Sequence, residues 1–328
     1  MSTLYFSYSL PGGSLDCDEP LNSPYSLAWN VGRFLRQKAA EIGYAFQYVN
    51  LDDTTPRTFD PLDIVIGHCW WDGGFMDQAL NAGIKAKFII QPYSAGMVSD
   101  PDIPMVLDLF SKADHLFLVC GEYWFETMHS TPYARLKANA TRIDMAVSPA
   151  IHPMLKTRWN KKGQRAICVI GNDIPVKGFK NVAEMARMAG IRLGHFGSAR
   201  DGTFDHVPQM TLHGGMLFTP DNIKALCDQY DALCVIALAD ANPTVLLEAG
   251  AWGLAVYTNL QSGYLPYRPF QELRLNDDKF NIDQMRLFQQ MDEYDLRRES
   301  ARLRDVIEQD YNFTVMCNAI WQKVGEYL

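Results

Sequence analysis

The strand-length runs of this chain are apolar from end to end, as in Ile64-Val65-Ile66-Gly67 and Phe88-Ile89-Ile90-Gln91. A strand with one wet face alternates apolar and polar residues. A run without alternation suits a parallel strand covered on both faces, which confines the chain to helices layered over parallel sheets. The pattern predicts strands over 3–10, 46–51, 63–67, 87–91, 115–120 and 141–147. Helices are expected over 26–42, 75–82, 105–111 and 122–128. Residues 148–163 carry Pro149, Pro153 and the polar turn Lys161-Lys162-Gly163, the best linker in the chain. The alternation then restarts, with strands over 166–171, 192–196 and 210–213, helices over 181–189 and 219–229, and a smaller strand near 264–267. From Asp283 onward the pattern is helical, and 313–328 is amphipathic, with Val315, Ile320, Trp321 and Val324. The expected fold class is α/β, with two Rossmann-like doubly wound domains. Their boundaries fall at 1–160 and 161–310, with a terminal helix, 311–328, returning to the first domain.

Length and composition narrow the function. The 328 residues are enough for two ordinary domains, and 48% hydrophobic with 21% charged is a soluble globular balance. No apolar run approaches the roughly 18 residues of a bilayer span, and the start MSTLYFSYSLPGG lacks the basic region of a signal peptide. A cytoplasmic location is expected. Seven cysteines without a CxxC pair or a Cys/His cluster at metal spacing read as buried thiols. A net charge of −8 argues against nucleic acid as the main partner. Arg33, Arg36 and Lys38 share one predicted helix and leave a peripheral membrane contact open. No Ser/His/Asp order or Walker-type loop stands out, so hydrolase and NTPase chemistries are disfavoured.

The segment richest in chemistry is VIALADANPTVLLEAGAWGLAVYTN, residues 235–259. It reads as a strand (VIAL), an acidic turn, a helix stopped by Gly253, and a second strand. Two carboxylates lie eight positions apart, Asp240 and Glu248. The backbone N–H groups of Ala241, Asn242 and Thr244, at the start of a helix, form a candidate anion site. Another strand leads into Gly171-Asn172-Asp173-Ile174-Pro175-Val176-Lys177-Gly178, a loop that presents a lysine able to neutralise a diphosphate as a point charge.

These residues resemble the retaining GT-B glycosyltransferases of glycosyltransferase family 4. The family pattern of an acid, seven residues and Glu is met by Asp240, ANPTVLL and Glu248. Its Gly-Arg, four residues and Lys-Gly is met by Gly171, Lys177 and Gly178, with Asn172 in the arginine position. The resemblance implies a GT-B fold and transfer of a sugar from a nucleotide-diphosphate sugar to an acceptor hydroxyl with retention. It further implies independence of metal and no cofactor besides the donor, whose base (UDP, GDP or ADP) stays open. The acceptor stays open too, among a carbohydrate, a lipid-linked glycan and a small molecule. Carried over, Glu248 holds the nucleotide ribose, Asp240 the donor sugar's hydroxyls and Lys177 the diphosphate. Gly12-Gly13, after the first strand, lets backbone approach the phosphates. The family's His after a first-domain strand is replaced by Gln91, and His68 becomes the acceptor-side candidate.

The departures have consequences. Asn172 removes a cation, with Arg200 as its substitute, and Asp240 is one methylene shorter than the usual Glu. Each feature also has a plainer reading. Asp240 can be a helix cap and Glu248 a complement to the macrodipole. Lys177 can be a solvated charge, His68 a satisfied strand-end residue and Gly12-Gly13 a turn. Trp70, Trp71 and Tyr93 can stack on a sugar or fill a core. Two alternative functions remain at this level, a catalytically weakened GT-B binding protein and a sugar-nucleotide epimerase.

Overall fold

The computed structural model describes residues 2–10, 15, 27–69, 73–94, 103–148, 151–265 and 270–328. The chain forms two compact units, one of residues 1–120, 125–146 and 313–328, the other of 121–124 and 147–312.

The first unit runs β1 (Thr3–Tyr8), α1 (Leu27–Glu41), β2 (Ala45–Asn50), β3 (Ile64–Gly67), α2 (Phe75–Asn81), β4 (Ala86–Pro92), α3 (Ile103–Ser111), β5 (His115–Val119), the end of α4 (Glu122–Thr127), whose first residues 122–124 fall in the second unit, and β6 (Ala140–Ile143). Its six strands are parallel, in the order β2-β1-β3-β4-β5-β6. Every residue of β3 and β5 is buried, as the absence of alternation requires.

The second unit runs β7 (Ala166–Ile170), α5 (Phe179–Ala189), β8 (Arg192–Phe196), β9 (Met210–Gly214), α6 (Pro220–Gln229), β10 (Ala232–Val235), α7 (Thr244–Trp252), β11 (Ala255–Thr258), β12 (Gln271–Glu272), α8 (Asp278–Gln290) and α9 (Glu293–Asp310). Its order, β12-β11-β10-β7-β8-β9, is again all parallel. The last helix, α10 (Phe313–Gly325), belongs to the first unit. There Met316, Ile320 and Val324 pack into the core that Phe6, Ile66, Phe88 and α1 residues Val31 and Leu35 build. Among the described residues no helix is long and apolar enough to cross a membrane.

Several boundaries differ from expectation, each for a local reason. The strand expected over 235–238 ends at Val235, because the Leu238 and Ala239 amides leave the ladder and donate to the Val176 carbonyl at 2.8 and 3.2 Å. Residues 151–163 are no free linker. The Leu155 and Lys156 amides both donate to Trp252 O at 2.9 Å, and the fully buried Lys156 ammonium meets the buried Asp231 carboxylate at 2.9 Å. The last edge strand is β12, beyond the expected 264–267, of which 266 and 267 lie outside the described residues. Helix α8 starts at Asp278, five residues early, because the Asp277 side chain caps it by accepting from the Phe280 amide at 3.1 Å.

Candidate functional site

In an open parallel sheet, a ligand crevice forms outside the carboxyl ends of the strands where strand order reverses. In the second unit that point lies between β7, from which β8 and β9 run one way, and β10, from which β11 and β12 run the other. The loop after β7 carries Lys177 and the loop after β10 carries Asp240, so the topology brings the two sequence motifs together.

Two glycines make the approach possible. Gly178 has φ +62°, and a Cβ there would sit 1.9 Å from the Ile236 carbonyl oxygen, which only glycine avoids. Gly171 has φ +120°, and the Lys177 Nζ lies 2.7 Å from where its Cβ would be. The lysine therefore folds back over the end of β7. The Val176 carbonyl, accepting from Leu238 and Ala239, ties this loop to the next one. The strand end before Asp240 is clamped by Asn259, which accepts from the Ala237 amide at 2.9 Å and donates to Ala237 O at 2.8 Å. Asp240 is held through its backbone, its amide donating to Gln261 O at 2.9 Å and its carbonyl accepting from Trp124 Nε1 at 2.7 Å.

The electrostatics follow from burial. Desolvation raises the Asp240 carboxyl, opposed by the nearby Lys177 charge and by the dipoles of the Ala241 and Asn242 amides that follow it. Of the expected set, the Thr244 amide opens the helix, joined by that of Val245. Both sit at the start of α7 without a protein acceptor among the described residues. Glu248 follows Thr244 by four residues, on the same helix face. Burial pushes its carboxyl up to about 7, and no hydrogen bond or ion pair satisfies it among the described residues. Lys177 likewise has no carboxylate within ion-pair distance among the described residues.

The remaining second-unit candidates separate. Asn172 turns its carboxamide to Ser198, whose Oγ donates to it at 2.9 Å, while Asn242 is buried beneath the turn. Arg200 is not the substitute cation, because its guanidinium is committed to the buried Asp173 carboxylate at 3.3 Å. Trp124 and Asn259 were not visible as supports from sequence, since both act across long separations. Among the described residues no group of three or more His, Cys, Asp or Glu side chains could hold a metal ion.

In the first unit the order reverses between β1 and β3, and His68 follows β3. Its Nδ1 lies 3.2 Å from the Ile90 carbonyl, which can only accept, so Nδ1 carries the proton. Burial lowers its pKa, and the neutral ring keeps Nε2 as an acceptor. Tyr8, at the end of β1, packs its ring 5.3 Å from His68, and burial pushes its hydroxyl up to about 12. Ser7 Oγ and Gln91 Oε1 are buried without a partner among the described residues. These three neighbours carry no motif that sequence reading could register. Tyr93 is a core residue, its hydroxyl 3.0 Å from Thr131 Oγ1 and its ring edge-on to Tyr133. Gly12, Gly13, Trp70 and Trp71 lie outside the described residues.

Solved structures share this architecture along the whole chain. Sucrose-phosphate synthase from Thermosynechococcus elongatus superposes with a TM-score of 0.64 at 12% identity, covering 99% of each chain. An α-glucosyltransferase in complex with UDP-glucose and DNA containing an abasic site gives 0.58 at 10% identity, again covering 99% of each chain. The fold is GT-B. The GT-B fold does not by itself name a reaction, because the N-terminal domain of trehalose-6-phosphate phosphatase from Candida albicans gives a TM-score of 0.67 at 9% identity, covering 100% of this chain and 97% of that one. No protein-family model and no curated protein sequence matches the chain.

Proposed function

We propose that this GT-B protein transfers a glycosyl unit from a nucleotide-diphosphate sugar to an acceptor hydroxyl, with retention at the anomeric carbon and without a metal ion. One observation carries the reading. At the switch point of the second sheet, the loop after β7 carries a lysine with no ion-pair partner and the segment after β10 carries two helix-start amides and a carboxyl with no partner, all among the described residues. Lys177 and the Thr244 and Val245 amides suit a diphosphate, positive charge and N–H donors both favouring an anion. Glu248 suits the vicinal hydroxyls of a ribose, which would supply the hydrogen bonds it lacks. Asp240 suits the donor sugar's hydroxyls. As the bond from the anomeric carbon to the diphosphate breaks, Lys177 and the amides stabilise the departing charge and the acceptor oxygen bonds on the same face. The acceptor's proton leaves with the diphosphate oxygen, and catalysis is positioning plus electrostatic stabilisation. In the first unit, neutral His68 is the candidate that orients an acceptor hydroxyl through Nε2. The α-glucosyltransferase holding UDP-glucose lends the donor class support from a shared fold.

A thermal-shift screen against UDP, GDP, ADP and their sugar conjugates tests this reading. A ligand at 100 times its Kd stabilises by about 2.7 kcal/mol. Glu248→Ala and Lys177→Ala remove the shift. Unchanged shifts and turnover in both variants overturn the assignment. One observation favours a second reading, a GT-B binding protein with weakened catalysis. Asn172 is neutral, Arg200 is spent on Asp173, and one site cation remains where the family pattern has two. Nucleotide binding without donor consumption identifies that case. Donor conversion without an acceptor identifies an epimerase.

A further inference from the structure

The amino end of the second sheet holds a cavity of about 350 Å³, lined by Asn160, Gln164, Arg165, Arg192, Gln209 and Gln289, with Gly163 and Gly190 in its wall. Arg165 immediately precedes β7, Arg192 opens β8 and Gln209 precedes β9. Five-residue strands separate it from the carboxyl-end site by about 16 Å.

Its chemistry is unusual for a chain of net charge −8. Arg165 is 3% exposed, yet its guanidinium meets only carbonyls, those of Asn160 and Met291, the latter at 3.0 Å. Its Nε is buried with no partner among the described residues. Arg192 donates to Gln229 O at 2.9 Å and lies against the Tyr230 ring. Neither arginine has a carboxylate partner among the described residues. Asp231, which accepts from the neighbouring Ala166 amide, is fully buried and satisfied by Lys156 and Asn160, and Asp292, which follows Met291, pairs with Lys162 at 3.2 Å. A desolvated guanidinium without a counter-ion is costly, and a concave site of one sign concentrates ions of the other. Gln289 accepts from the Arg165 amide at 3.1 Å and donates to its carbonyl at 3.2 Å, fixing the arginine in place. The side chains of Gln164 and Gln209 have no protein partner among the described residues, and they offer amides to hydroxyls.

We propose that this cavity is a second ligand site, for a small phosphate monoester bearing hydroxyls, a sugar phosphate in class. The phosphate faces Arg165 and Arg192, and the hydroxyls face Gln164 and Gln209. A cavity of this size is at the small end of ligand pockets, which fits a monosaccharide phosphate and excludes a nucleotide sugar. The site is independent of the transfer reading, since it shares no residue with Lys177, Asp240 or Glu248.

The test is isothermal titration calorimetry of the full chain with glucose 6-phosphate, inorganic phosphate and glucose. Glucose 6-phosphate binds, inorganic phosphate binds more weakly and glucose does not. Arg192→Gln weakens glucose 6-phosphate at least 10-fold, while Lys177→Ala leaves it unchanged and Arg192→Gln leaves nucleotide binding unchanged. Gln209→Ala, a surface change that does not threaten folding, weakens glucose 6-phosphate but not inorganic phosphate. Binding that survives both Arg192→Gln and Gln209→Ala, or that disappears in Lys177→Ala, overturns the proposal, as does failure of glucose 6-phosphate to bind.

Discussion

The two units solve the same topological problem with opposite chemistry. Each has six parallel strands and one reversal of strand order, between β1 and β3 in the first and between β7 and β10 in the second. At the second reversal stand a lysine, two carboxyls and the free amides of a helix start. At the first stand Tyr8, a neutral His68 and the uncharged polar groups of Ser7 and Gln91. Topology supplies a crevice in both places, and side chains decide what each can hold. Charge and aligned N–H groups suit phosphate. Aromatic faces with neutral acceptors suit a hydroxyl-rich, uncharged molecule.

Mutations that cross the two crevices test this contrast. The largest effect is expected from Lys177→Ala, a loss of about 10²–10³ in turnover, measured as donor consumed in the presence of acceptor. Glu248→Ala follows, weakening nucleotide about 10- to 100-fold by calorimetry as charge-assisted hydrogen bonds are lost. His68→Ala is the mirror experiment. It lowers turnover about 10-fold with nucleotide affinity unchanged, and a loss of nucleotide affinity instead ends the division of labour between the crevices.

The pH dependence of Glu248 sharpens it further. Burial raises this carboxyl from 4.5 to about 7, so between those values the folded chain binds more protons than the unfolded one. Stability therefore falls as pH rises through that window. Glu248→Gln cannot ionise, so it matches the parent at pH 4 and exceeds it by up to about 3 kcal/mol at pH 8, read from urea unfolding at each pH. Nucleotide affinity of the parent moves the other way, rising toward pH 8 because ribose hydroxyls donate to the ionised form. The smallest effect is expected from Asn172→Arg, which restores a second cation at an exposed position. A gain of a few-fold in nucleotide affinity is expected, near the roughly 1 kcal/mol limit of exposed charge pairs.

Sequence showed some of these features and hid others, according to the range of the interactions behind them. The apolar strands and the amphipathic α10 were readable because their signal is a local period. The spacing of Asp240, Glu248 and Lys177 was readable because each lies at the end of a strand followed by a turn. The commitment of Arg200 to Asp173 was hidden, since it joins loops 27 residues apart. So was the early end of β10, which depends on a carbonyl some 60 residues upstream, at Val176. The polar partners of His68 come from β1 and β4, and no motif links them.

The bifurcated carbonyl of Val176 has one more consequence. Because it receives both Leu238 and Ala239, the lysine loop and the aspartate loop cannot open separately without stranding two amides. In hydrogen–deuterium exchange the amides of residues 177, 178, 238 and 239 should therefore lose protection together, as one cooperative unit. For anyone grafting a new donor preference onto this scaffold, residues 171–178 and 236–242 form one cassette. A transplant of either loop alone would inherit a lysine and an aspartate that no longer keep register.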